Sequence, residues 1–100
     1  LSGGSGRDLL NGGNGNDTLE GGGGDDTFVF TRGRDVIEDF SGNDVVDLDS
    51  SLGVSNFNDV INAASVVGGG DDVLINFGSG NTLRLEDVNI NSLSASDFDF

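Results

Sequence analysis

The sequence predicts an all-β chain whose first half is a solenoid of nine-residue coils, and three observations carry that prediction. Residues 3–29 read as G-G-S-G-R-D-L-L-N, G-G-N-G-N-D-T-L-E and G-G-G-G-D-D-T-F-V. Each unit has Gly at its first, second and fourth places, Asp at the sixth (Asp8, Asp17, Asp26) and a large apolar residue at the eighth (Leu10, Leu19, Phe28). The formal charge is -14, with no Lys and only Arg7, Arg32, Arg34 and Arg84 to offset the acids.

The glycine-rich opening of each unit reads as a turn and the last three residues as a short strand. One apolar residue per unit cannot form a core. Stacked units, however, line up Leu10, Leu19 and Phe28 as an internal ladder. The same stacking gathers the Asp side chains and turn carbonyls into columns at the edge of the coil, with no nitrogen or sulfur donor beside them. Carboxylates crowded in this way repel one another unless a cation lies between them. An all-oxygen site of flexible geometry suits Ca2+, which takes about 6–8 oxygens at roughly 2.3–2.6 Å.

With those residues in view, the repeat resembles the RTX (repeats-in-toxin), hemolysin-type calcium-binding family, whose signature is this nonapeptide. A flexible Gly/Asn/Asp linker has similar composition but does not hold a nine-residue phase. The resemblance implies a parallel β-roll, a nonapeptide solenoid in which two repeats make one coil and Ca2+ lies between turns two repeats apart. Residues 30–38 (F-T-R-G-R-D-V-I-E) and 39–47 (D-F-S-G-N-D-V-V-D) keep the phase in weakened form, with Gly33, Asp35 and Ile37, then Gly42, Asp44 and Val46, at the fourth, sixth and eighth places. Bulkier Phe30, Val36, Phe40 and Val45 indicate that the roll widens here and meets another layer.

Carrying the family's ligand pattern onto matching positions implies three sites. The first uses Gly4, Gly6 and Asp8 with Gly21, Gly23 and Asp26. The second uses Gly13, Gly15 and Asp17 with Phe30, Arg32 and Asp35, the Arg32 side chain pointing away from the ion. The third uses Gly22, Gly24 and Asp26 with Asp39, Ser41 and Asp44. In each, the Gly, Phe, Arg and Ser positions, together with Asp39, offer main-chain carbonyls.

The expected division is a calcium-binding roll over 1–47 and a capping region over 48–100, forming one continuous domain. Asp47, Asp49 and Ser51 imitate the start of an EF-hand loop, but Leu52 and Asn58 stand where its glycine and bidentate Glu belong. Ser55 reads as the N-cap of a helix over 56–64, with Phe57, Val60, Ile61 and Ala64 on the face laid against the end of the roll. Gly68 to Asp71 reads as a turn. Residues 72–77 and 82–86 read as an antiparallel β-hairpin around G-S-G-N, its inward side chains being Val73, Ile75 and Phe77 or their alternates. Ser94 then caps a short turn leading into Asp97, Phe98, Asp99 and Phe100. That end reads as an edge strand with both Phe on one face. By resemblance it also reads as the uncleaved C-terminal signal of type I secretion, taken up by an ABC-transporter machine. The helix and hairpin are similar to the C-terminal region of extracellular serralysin-type metalloproteases.

Composition excludes several functions. An acidic chain has no patch to neutralise phosphates or anionic lipid. Without Cys or His there is no disulfide framework, thiol chemistry or zinc site, and no nucleophile–base arrangement stands out, so the segment itself reads as non-catalytic. A phosphate-binding loop needs a following helix and usually a Lys, and the sequon Asn16-Asp17-Thr18 falls inside a calcium turn. No run of 18 apolar residues suits a transmembrane span, and no signal peptide opens the chain. Leu1 and Ser2 fit the last two places of an earlier repeat, so the chain reads as a piece of a longer protein. The function expected is that of a secreted, extracellular bacterial module that folds on Ca2+ and supports export. The alternative is a carbohydrate-binding accessory module of a polysaccharide-modifying enzyme, although Tyr and Trp, the usual sugar platforms, are absent.

Overall fold

The computed structural model describes residues 2–13, 15–40 and 44–100. Leu1, Asn14, Ser41, Gly42 and Asn43 lie outside the described residues, and with them the expectations for a Ser41 carbonyl, a Gly42 turn and a Leu1 overhang. The elements are β1 (Leu9–Asn11), β2 (Thr18–Leu19), β3 (Thr27–Phe30), β4 (Arg34–Ile37), β5 (Val45–Leu48), α1 (Phe57–Ala63), β6 (Ala64–Val67), β7 (Asp72–Gly78), β8 (Asn81–Leu85) and β9 (Phe98–Asp99).

Successive nonapeptides deliver their strands to opposite sheets. One sheet has the order β1-β3-β5-β9, the other β2-β4-β8-β7-β6. Two repeats therefore make one coil, and Leu9 pairs with Thr27, Thr27 with Val45 and Thr18 with Val36, all in parallel. Side chains alternate across a strand, so place eight faces inward and places seven and nine face out. Leu10, Leu19, Phe28, Ile37 and Val46 are each 2% exposed or less. Two ladders result: Leu10, Phe28, Val46 and Phe98 in one sheet, and Leu19, Ile37, Leu85 and Val73 in the other.

The second half of the chain continues both sheets. The β7–β8 hairpin turns through Ser79 and Gly80, both at positive φ, and β8 lies parallel to β4 with Asp35 beside Leu83. At that step the acidic place six gives way to a buried leucine. Of the two faces left open for the hairpin, Val73 and Ile75 are the buried one, and the half-buried Phe77 ring sits 5.3 Å from Phe30. Phe30 and Phe40 are buried and Val36 and Val45 half-buried, with the Phe40 ring 6.3 Å from that of Phe28.

Three expectations need correction. The N-cap of α1 is Asn56, whose side chain accepts from the Asp59 amide at 3.0 Å, while Ser55 sits one residue outside and donates its amide to the Asp59 carboxylate. Asn56 alone is placed to reach the third helical amide. Ala64 leaves the helix to start β6, an antiparallel edge strand opposite Ile75, because pairing with β7 satisfies its backbone. Val60 is the buried residue of α1, which packs on β6 and β7 and sets Phe57 6.0 Å from Phe98. At the end, a capping box between Ser94 and Asp97 opens a short 3-10 turn, and β9 pairs with β5. Phe98 is 6% exposed, but Phe100, expected on the same face, is 42% exposed because the strand stops at Asp99.

Candidate metal centre

The turns of the first three repeats owe their shape to glycine at places two and four. Gly22 and Gly24 have φ of 82° and 89°, and each lies so close over the carbonyl oxygen of Gly4 or Gly6 that a Cβ would overlap it. Those two carbonyls are thereby held in the gap between the first and third turns. Gly3 serves place one differently: a Cβ there would stand 2.7 Å from Oδ2 of Asp8, so its absence leaves room for the carboxylate.

The carboxylates themselves form a ladder. The Asp8 amide donates to Oδ1 of Asp26 at 3.0 Å, the Asp17 amide to Oδ1 of Asp35 at 2.9 Å, and the Asp26 amide to Oδ1 of Asp44 at 2.8 Å. One oxygen of Asp26, Asp35 and Asp44 thus ties its coil to the one before it. Oδ2 of Asp8, Asp17 and Asp26 is buried and has no hydrogen-bond partner. A buried carboxylate oxygen without a donor costs several times what an ordinary hydrogen bond contributes, and three such atoms recur at the same place of successive repeats. Oxygen-seeking cations between successive coils would satisfy these atoms, so the residues present fit Ca2+. Among the described residues no three carboxylates converge.

Burial pushes the Asp35 carboxyl up to about 6; the bond from the Asp17 amide opposes the shift and the Asp17 charge adds to it. Asp35 is 2% exposed. A cation beside it favours the ionised form by the same Coulomb argument.

The structure brings Gly4, Gly6 and Asp8 of the first site against the turn carrying Gly21, Gly23 and Asp26. For the second site it places Asp17 beside Asp35 and the Gly15 carbonyl against Gly33, while Arg32 is exposed. The Phe30 carbonyl lies in a strand and already accepts from the Asp49 amide at 3.1 Å. For the third, Asp26 and Asp44 are linked, and Asp39 does more than offer its carbonyl: its carboxylate accepts from the amides of Gly21 and Gly22. Asn16 and Asn81 were missed. Their Oδ1 atoms accept from the Arg34 and Gly33 amides, at 3.1 Å and 3.0 Å. Asn16 directly precedes the repeat's Asp17, a signal the sequence carries; Asn81 meets Gly33 only through the parallel pairing of β4 and β8.

Residues 2–37 and 31–50 match the family described as the RTX calcium-binding nonapeptide repeat (4 copies). Through these residues the chain belongs to the RTX calcium-binding repeat family, which binds Ca2+. Its fold is similar to that of the extracellular lipase LipA from Serratia marcescens, with a TM-score of 0.78 and 22% identity over 95% of this chain. The chain spans 20% of the lipase chain, so the likeness concerns the fold of one part of that protein. No curated protein matches.

Proposed function

We propose that this segment is a calcium-driven folding module of a larger exported bacterial protein, carrying no catalysis of its own. The observation that carries the reading is the set of unpartnered Oδ2 atoms at Asp8, Asp17 and Asp26. With a net charge of -14 the compact state repels itself, and these oxygens add a desolvation cost that metal removes.

Magnitudes support dependence on the medium. Extracellular Ca2+ modules bind at about 10⁻⁴–10⁻³ M. At a Kd of about 10⁻⁴ M, ~1 mM free Ca2+ adds about 1.4 kcal/mol per site, or about 4 kcal/mol for three, comparable with the whole stability of a small domain. In a low-calcium cytosol that contribution is missing and the chain stays open for export. The helix and hairpin cap the roll, and the acidic–aromatic residues from Asp97 to Phe100 resemble type I secretion signals, which supports a role in export. Circular dichroism tests the reading: chelated protein lacks β structure and millimolar Ca2+ restores it, whereas a spectrum indifferent to chelator refutes it.

A further inference from the structure

Asp39 stands at place one of the fifth repeat, where the first three repeats have glycine, and its side chain reaches back one coil. Oδ1 accepts from the Gly21 amide at 2.8 Å and Oδ2 from the Gly22 amide at 2.7 Å. Two successive main-chain amides aimed at one carboxylate form an anion-binding nest, and the bonds are charge-assisted.

The consequence follows from the peptide plane. The described residues contain no cis peptide bonds, so the N–H of Gly22 and the C=O of Gly21, which share one plane, point in opposite directions. Asp39 lies on the third-coil side of this turn, where it holds the Gly22 N–H. The Gly21 carbonyl is thereby turned back toward the first coil, where the Gly4 and Gly6 carbonyls and the unpartnered Asp8 oxygen lie. We propose that Asp39 is the positioning residue of the first calcium site, acting on the ion through the orientation of the Gly21 carbonyl. This rests on the calcium reading above and adds to it a residue whose side chain never touches the metal.

The test is calcium titration of the full chain by calorimetry, with amide NMR shifts of Asp8, Gly21, Gly22 and Asp26 reporting the first site. Asp39→Ala is expected to keep the wild-type number of ions but weaken the first site about tenfold, the loss expected for a charge-assisted bond. Asp39→Asn keeps one acceptor and falls between the two. Val60→Ala, a core change away from the turns, weakens all sites evenly. Wild-type affinity in Asp39→Ala overturns the proposal, as does the loss of a whole ion, which makes Asp39 a ligand, or an effect no more site-selective than that of Val60→Ala. Absence of calcium uptake by the wild type overturns the calcium reading itself, a different result from uptake that Asp39→Ala leaves unchanged.

Discussion

The Asp8 amide donates to Oδ1 of Asp26 from one coil to the next, at 3.0 Å, while Oδ2 of both acids remains buried and unpaired. One carboxylate thus does two jobs, and Asn separates them. Asp26→Asn keeps the Oδ1 acceptor but removes the anionic oxygen that the proposed first and third sites share. In millimolar Ca2+ it is expected to lower stability by about 3 kcal/mol, roughly two sites' worth of linkage. In chelator the sign reverses or vanishes, because a buried unpaired charge has been removed. Urea melts with and without Ca2+ check both halves; equal loss in the two conditions contradicts a metal role for Asp26.

Adjacent glycines of one turn differ in what they tolerate. Gly22 combines a φ of 82° with a carbonyl oxygen where its Cβ would go, whereas a Cβ on Gly23 would meet nothing within 4 Å. Gly22→Ala is expected to cost about 2 kcal/mol or more from backbone strain and displacement of the Gly4 carbonyl. Gly23→Ala stays within about 0.5 kcal/mol. Calcium-saturated thermal melts distinguish them, and a similar cost at both positions contradicts the coil spacing.

Acid sensitivity has a source outside the calcium turns. Asp72 accepts from Arg84, with Nε at 3.1 Å, and from the Asp87 amide at 2.9 Å. The Arg84 hydrogen bond, with the amide bond helping, holds its carboxyl below the usual carboxylate range. A depressed folded-state pKa gives stability that is present above the unfolded value of about 3.9 and lost as pH falls through the folded one. Asp72→Asn should therefore flatten the acid limb of a stability–pH curve below about pH 4. An unchanged acid limb refutes the assignment.

Strand β9 contributes to the core. Phe98 completes the ladder above Val46 and lies against Phe57, while Phe100 stays largely exposed. Phe98→Ala is expected to cost about 3 kcal/mol, as for a large core ring, and Phe100→Ala under about 1 kcal/mol. Urea midpoints in saturating Ca2+ decide it, and equal costs contradict the pairing of β9 with β5.

The first half of the fold was legible because its signal is periodic. Gly at places two and four marks positive φ, and Leu10, Leu19 and Phe28 already specify the inner ladder. The hairpin's turn chemistry was legible too, but its inward face was not, since Val73 and Leu74 are both apolar and only parallel pairing of β8 with β4 decides between them. β6 was hidden because Ala64 continues the helical spacing of Phe57, Val60 and Ile61. At the site, the repeat pattern pointed to Asp8, Asp17 and Asp26. The Asp39 carboxylate and Asn81 act across coils, at separations that only the assembled roll sets.

Anomalous scattering from a crystal grown in millimolar Ca2+ tests the metal-bridged coil most directly. The expected result is a calcium peak between the first and third turns, with Oδ2 of Asp8 and Asp26 among oxygens at about 2.3–2.6 Å. Both Oδ2 atoms bonded to water or protein donors, with no peak between those turns, is the result that contradicts it.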